Sequence, residues 1–359
     1  MPQRVVLAMS GGVDSSVAAQ MLKADGFDVV GLFMRTGSYG ESEERRSKTC
    51  CSVADALDAR RVADRLDIPF YVLDFERDFG RIQDYFADEY LAGRTPNPCV
   101  MCNIWLKFGR LWEYGKQVGA DFVATGHYAR IVRAADGSAR VARGRDIDKD
   151  QSYVLSGLAP ELLDKILFPI GAMAKADVRA RALEHQLPVH DKAESQEICF
   201  VPDDDYLEFV RARRPERETA GRLVDEDGAV LGEHSGFEKF TIGQRRGLGV
   251  ALGEPRYVVQ IEPASKTVTV GRKESLTRPG LEASRFNWQA PRPDGPTPCL
   301  AQIRARHRAV AAVVEPLDEG RVRVRFEVPQ PAVAPGQVVT LYEDDMVLGG
   351  GWIDRAVAD

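Results

Sequence analysis

Residues 8–16 read AMSGGVDSS, between the apolar run RVVL and the segment VAAQMLKA. A buried strand that turns straight into a helix through two glycines leaves few folds open. Arg4–Met9 has the apolar density of a short interior strand. Val17, Ala18, Met21 and Leu22 have the spacing of an amphipathic helix over Ser15–Lys23. Gly11 and Gly12 permit the tight bend between them, because neither carries a Cβ. The N–H groups opening a helix lie at the positive end of its dipole, so this turn suits an anion such as a phosphate. The loop lacks the lysine of a Walker pattern, which excludes a P-loop kinase or GTPase reading.

Strands and helices go on alternating to about residue 200. DVVGLFM is a buried strand, SVADALDARRVADRL a helix, PFYVLDF a strand, GRIQDYFADEYLAG a helix, IWLKFGRLWEYGKQV a helix and ADFVATGHY a strand with its exit loop. RTPNPCVMCN reads as a loop stiffened by two prolines. RTGSYGESEERRSKTCC reads as a polar, mobile loop. Such alternation implies an α/β domain with a parallel sheet, and ligands at the carboxyl ends of its strands. Ser10–Ser16 and Gly126-His127-Tyr128 both fall there. Beyond residue 204 the texture changes to short alternating strands broken by Asp-Gly, Pro and Gly, which predicts two small β-rich domains. The polar stretch KESLTRPG marks the boundary between them. The expected division is 1–203, 204–276 and 277–359, the last a β-barrel.

The bulk numbers narrow the class. A chain of 359 residues exceeds one ordinary core. No apolar run approaches the ~18 residues of a membrane span, and the N-terminus lacks a signal-peptide pattern, so the cytoplasm is the expected compartment. Six cysteines in a chain this long do not make a disulfide scaffold. The net charge of −6 argues against a uniformly basic surface but leaves room for a basic groove.

Cys99 and Cys102 form a C-x-x-C in the proline-braced loop, and Cys199 lies in ESQEICFV. Their chemistry stays open between a metal site and a redox pair with a sulfur carrier; three buried small hydrophobes is the plain structural alternative. Cys50, Cys51 and Cys299 read as structural. The alternating arginines Arg304, Arg306, Arg308 and Arg321, Arg323, Arg325 read as strand-face stripes. With Arg211, Arg213 and Arg214 they are the candidate basic patches for a nucleic acid. GQRRGLGV (Gly243–Val250) reads as a mobile loop suited to covering a site.

The full string Ser10-Gly11-Gly12-Val13-Asp14-Ser15-Ser16 resembles the PP-loop of the ATP pyrophosphatases, which split ATP into AMP and pyrophosphate. With GRTPNPCVMCN, ATGHYAR, KDQSYVL, ESQEICFV, GEHSGFEKFTIGQRRGLGV and LGGGWI in this order, the whole chain resembles the tRNA-specific 2-thiouridylase family. The resemblance implies that ATP, with Mg2+, is held by Ala8, Met9, Ser10, Gly11, Gly12, Val13, Asp14 and Ser15, with Met34 and Gly126 lining the nucleotide site. It implies that Asn97, Pro98 and Cys99 approach the target base, and that His127, Lys149, Asp150, Gln151, Arg306, His307 and Gln337 contact tRNA. Cys102 would be the nucleophile and Cys199 the persulfide carrier. ATP would adenylate the uridine O2, persulfide sulfur would attack C2, and a Cys102–Cys199 disulfide would release the product. Many family members carry Asp where this chain has Cys99. A second route therefore stands beside the persulfide one: Cys99, Cys102 and Cys199 holding a [4Fe-4S] cluster that delivers sulfide, with zinc a third occupant. The implied partners are tRNA and a sulfur donor, which is a cysteine desulfurase, a relay protein or inorganic sulfide. The expected state is a monomer away from membranes. Two other classes compete: an ATP pyrophosphatase acting on a small molecule, and a non-catalytic RNA-binding protein.

Overall fold

A computed structural model describes residues 2–37, 52–193, 198–201, 205–250, 253–318 and 320–358. Cys50, Cys51, most of the polar loop before them and the first half of ESQEICFV lie outside the described residues. The chain divides into two compact units. The first comprises Met1–Ile82, Cys99–Asp205 and Asp345–Val347; the second comprises Gln83–Pro98, Tyr206–Asp344 and Leu348–Asp359.

The first unit is built on a parallel sheet of β1 (Arg4–Ala8), β2 (Asp28–Arg35), β3 (Phe70–Asp74), β4 (Phe122–Ala124) and β7 (Ile166–Leu167), in the order β3-β2-β1-β4-β7. Val5, Val6 and Leu7 of β1 are fully buried, as a central parallel strand covered on both faces requires. Helix α1 (Val13–Ala24) follows β1, and α2 (Val53–Leu66) precedes β3. The core joins α1 residues Val17, Ala18 and Leu22 to Phe33, Val62 and Val178. The strand order reverses between β2-β1 and β1-β4. That reversal opens a crevice at the carboxyl ends of β1 and β4, the usual ligand position in such sheets. A hairpin, β5 (Ala129–Arg133) with β6 (Ala139–Arg143), follows β4.

Two expectations are corrected in this unit. Cys99 and Cys102 do not sit in a loop. Helix starts at Pro98–Met101, continues as a π-helix over Cys102–Arg110 and returns to α-helix over Leu111–Gln117. Proline is favoured at the first helical position, where its missing N–H would have no partner anyway and its fixed φ fits the helix. The residue read as stiffening a loop instead starts a helix. Helix α1 likewise begins at Val13, two residues before the apolar spacing shows it.

The second unit is β-rich. A four-stranded sheet has the order β10-β11-β8-β9, from β8 (Gly221–Val224), β9 (Val230–His234), β10 (Tyr257–Glu262) and β11 (Thr267–Gly271). Its core is Leu223, Phe237, Phe240, Val258, Val268 and Val270. Six strands follow: β12 (Thr277–Trp288), β13 (Thr297–Gln302), β14 (Val310–Pro316), β15 (Val322–Pro331), β16 (Val338–Glu343) and β17 (Met346–Val357). Strand β12 pairs with both β15 and β17, which closes the ring into a barrel and leaves it no open edge. Pro279 and Gly280 lie inside β12, not in a linker. Arg304, Arg306 and Arg308 lie in the connection between β13 and β14, so they form no strand-face stripe; the turn at Arg304–His307 breaks the alternation. Several other arginines of the expected basic patches are bound to acids. Arg323 meets Glu282, Arg213 and Arg214 meet Asp84, and Arg211 meets Glu238.

Candidate nucleotide site and cysteine pair

The turn between β1 and α1 is fixed by side chains that fold back on it. Gly11 has φ +74, and a Cβ there would lie 2.2 Å from the backbone oxygen of Asp55. No other residue type fits without moving the start of α2. That start is itself pinned by a capping box, in which Ser52 and Asp55 each accept from the other's backbone N–H. Within the loop Ser15 Oγ accepts from the Ser10 N–H at 3.2 Å, and Ser16 Oγ donates to the Gly12 carbonyl at 2.8 Å. Gly126, at the end of β4, packs against the first turn of α1; a Cβ there would meet the Asp14 carbonyl carbon and Ser15 nitrogen at 2.8 Å. The glycine brings the two strand ends together.

Three lysines and a tyrosine complete the surroundings of the loop. Lys175 Nζ donates to Asp14 Oδ1 and Oδ2 at 2.7 and 2.9 Å, and the Tyr128 hydroxyl donates to Oδ1 at 2.8 Å. Lys192 Nζ donates to the Gly11 carbonyl at 3.1 Å, to Asp55 at 2.6 Å and to Asp58 at 2.7 Å. With Lys149 these residues line a polar cavity beside Ser10, Gly12 and Val13. A second cavity of about 190 Å³ adjoins it. Ala8, Met9, Phe33 and Met34 give it an apolar wall, and Lys107, Thr125, Gly126 and His127 form another side. Both cavities include Ser10, Asp14 and Gln151. An apolar slot next to a cation-rich one, joined at a helix N-terminus, can accept an apolar ring beside an anion.

His127 is buried in the cavity wall. Its Nδ1 lies 2.6 Å from Thr125 Oγ1 and its Nε2 lies 3.4 Å from Lys107 Nζ. Burial first, and the Lys107 charge second, hold its pKa well below the ordinary value of 6.5. The imidazole is therefore neutral at physiological pH.

Of the other residues assigned to tRNA, Asp150 is an internal brace. It accepts from Arg143, from the Gly144 N–H and from both the N–H and hydroxyl of Ser152. Gln151 accepts from the Tyr128 N–H at 2.9 Å. In the second unit Gln337 donates to the carbonyls of Thr95 and Pro96, just before Asn97 and Pro98. His307 Nε2 lies 3.2 Å from Gln330 Oε1, and burial lowers its pKa.

Cys99, Cys102, Cys199 and Cys299 are free thiols. Cys99 presents much of its surface to solvent, yet the protein packed around its sulfur raises the thiol pKa; Lys107 pulls it the other way. Cys102 and Cys199 are half-buried. The adjacent Phe200 anchors Cys199 by an edge-on contact with Phe79, ring centroids 5.5 Å apart. Cys299 is buried, and burial pushes its thiol up to about 12. Among the described residues no three His, Cys, Asp or Glu side chains stand close enough to hold a metal ion. Cys99, Cys102 and Cys199 thus form no ligand set for a cluster or zinc as they stand.

Lys107, Lys175 and Lys192 escape the sequence motifs. Lys175 left one trace, since it opens the helix Lys175–Glu184, where a positive charge opposes the dipole. Lys107 and Lys192 left none.

Residues 3–203 match a family model described as a tRNA methyl transferase HUP domain. Residues 208–272 match a PRC-barrel domain, and 278–353 match an aminomethyltransferase beta-barrel domain. Full-length relatives name a different transferred group. The tRNA-specific 2-thiouridylase MnmA of Geotalea uraniireducens is 49% identical, over 99% of this chain and 96% of its own. That of Rhodopirellula baltica is 47% identical, over 99% and 97%. That of Carboxydothermus hydrogenoformans is 47% identical, over 98% of each. The matched lengths of these relatives span all three regions. The chain belongs to the tRNA-specific 2-thiouridylase family.

Proposed function

We propose that the protein is an ATP-dependent tRNA-uridine 2-sulfurtransferase. The observation that carries this reading is the coexistence, in one unit, of the anion loop Ser10–Ser16 and two half-buried free thiols, Cys102 and Cys199. The adenine and ribose of ATP occupy the cavity walled by Phe33 and Met34, and the phosphates meet the N–H groups of the loop beside Lys175 and Lys192. Mg2+ accompanies the phosphates, since it commonly keeps most of its ligands from phosphate and water.

The chemistry needs two stages. A carbonyl oxygen at C2 of uridine is a poor leaving group, so ATP first converts it to an adenylate and releases pyrophosphate. The sulfur of a Cys199 persulfide then attacks C2, with Cys102 resolving the persulfide as AMP departs. Cys99 stands where other members place a carboxylic acid, but burial raises its thiol against the opposing charge of Lys107, so it does not replace that acid as an ionised proton acceptor. Asn97 and Pro98 approach the base; Lys149, Gln151, Arg306 and His307 hold the tRNA. We read the chain as three functional parts, 1–203, 204–276 and 277–359, acting as a monomer in the cytoplasm. Among the described residues no helix is long and apolar enough to cross a membrane.

The test is nucleoside analysis of unmodified tRNA incubated with the protein, ATP and a sulfur source. The reading expects 2-thiouridine only when ATP is present. Thiolation without ATP, or none with every component present, contradicts it. A small-molecule pyrophosphatase would form AMP with no tRNA added.

A further inference from the structure

We propose that Lys107 is a catalytic residue of adenylyl transfer, its ammonium oriented by His127 toward the non-bridging oxygens of the ATP α-phosphate. This deepens the function proposed above and rests on it.

Charge balance is the first ground. Lys175 is paired with Asp14, and Lys192 with Asp55 and Asp58. Lys107 is half-buried and lines the nucleotide cavity. Its polar contact is an imidazole, and among the described residues no carboxylate lies within ion-pair distance. The cavity's own carboxylate, Asp14, is occupied by Lys175 and Tyr128. Holding an uncompensated ammonium out of water is costly, so its counter-charge comes with the ligand.

Orientation is the second. A lysine ammonium only donates hydrogen bonds. His127 Nε2 must therefore accept from Lys107, which leaves Nδ1 protonated and donating to Thr125 Oγ1. This tautomer fixes the ring, and the ring fixes Nζ. Burial keeps the imidazole neutral and so able to accept. Phe108 and Phe168 pack on His127, with centroids 6.2 and 5.8 Å away. Lys107 also sits in the π-helical stretch Cys102–Arg110, a geometry that recurs at functional sites and displaces side chains from ordinary α-helical register.

Position is the third. The apolar cavity and the lysine-rich cavity share Ser10, Asp14 and Gln151. A triphosphate running from one to the other crosses that seam at its α-phosphate. Lys107 belongs to the apolar cavity, with Lys175 and Lys192 in the other, so Lys107 meets the α-phosphate while they meet the pyrophosphate. Its charge also acts on the Cys99 thiol, which sets it on the side of the acceptor. In the step, the uridine O2 forms a bond to Pα and the Pα–O–Pβ bond breaks. Its electron pair leaves with pyrophosphate, and the uridine N3 proton passes to solvent. Negative charge on the α-phosphate oxygens is what a preoriented ammonium stabilises.

The test is single-turnover release of AMP and pyrophosphate in the presence of tRNA, with ATP affinity and thermal unfolding measured alongside. Lys107→Met should slow release by about 10²–10³-fold, the usual loss on removing one such donor, while ATP affinity, which also loses the Lys107 charge, falls by far less. Lys107→Arg should recover part of the rate. Lys107→Gln serves if the Met variant does not fold. His127→Gln, which keeps an acceptor, should retain more activity than His127→Leu. Wild-type release rates in folded Lys107→Met or Lys107→Gln overturn the proposal, as does a loss explained wholly by weaker ATP binding. Wild-type protein that makes no AMP with tRNA present overturns the function reading, and this inference falls with it.

Discussion

The carboxylate of Asp14 lies 2.7 Å from Lys175 Nζ, which ties the first turn of α1 to the start of a helix 161 residues further along the chain. In the function proposed above, the pair neutralises a negative charge that would otherwise face the phosphates of ATP, and it holds a cation beside them. Asp14→Ala should abolish tRNA-dependent AMP formation and leave Lys175 without its orienting partner. Ser10→Ala should act in the same direction. The folds should persist, because neither side chain belongs to the core. Normal AMP release by both variants would remove the loop from the mechanism.

Gly11 has no tolerant substitute. Gly11→Ala imposes a left-handed conformation that costs roughly 1–2 kcal/mol for an L-residue, and its Cβ also strikes the Asp55 carbonyl. The variant should unfold at a clearly lower temperature and lose ATP binding, as the start of α2 is pushed away. Gly26, with φ +84 but open space around a Cβ, is the control: Gly26→Ala should lose stability from conformation alone and keep ATP binding. Equal ATP affinity in the two variants would count against the packing argument.

Sulfur and phosphate chemistry use separate residues, so they should separate by mutation. Cys102→Ser and Cys199→Ser should each lose thiolation while AMP still forms. Cys299→Ser should be nearly silent. The buried Cys299 thiol, with its pKa near 12, should resist alkylation at neutral pH in the folded protein while Cys102 and Cys199 react. Cys99→Asp installs the acid found in other members and should leave activity intact. Loss of both activity and protein-bound iron in that variant would restore the cluster route.

Two buried histidines and a half-buried one set the direction of acid sensitivity. His127, His234 and His307 all have folded pKa values lowered by burial from the ordinary 6.5. Above that value both folded and unfolded chains hold them neutral, and their contribution to stability is complete. As pH falls through 6.5 the unfolded chain takes up protons that the folded chain refuses, so stability is lost. The melting temperature should fall between pH 7.5 and pH 5.5 (~1 unit on either side of that ordinary value), and the fall should shrink in a folded His127→Gln variant. An unchanged drop in that variant would show that His127 does not take part.

The sequence made the α/β half legible because alternating apolar runs and helical spacing are local signals, and the turn at Gly11 and Gly12 lies between two of them. It misplaces Cys99 and Cys102, since two prolines in a polar stretch signal a stiff loop where Pro98 instead opens a helix. It misread Arg304, Arg306 and Arg308, because alternation in sequence looks the same in a strand and in a turn. The site lysines were hidden for a different reason. Lys175 and Lys192 meet the loop across 161 and 181 residues, and only the sheet order that sets β4 beside β1 brings such distant segments together.

The most direct test of the account couples its two halves in one assay. Wild-type protein is given limiting unmodified tRNA, excess ATP and a persulfide donor, and AMP and 2-thiouridine are counted together. The account predicts one AMP for each 2-thiouridine, no AMP when tRNA is left out, and AMP without 2-thiouridine in Cys199→Ser. Formation of 2-thiouridine with ADP as the nucleotide product, or with no ATP cleaved, would contradict it.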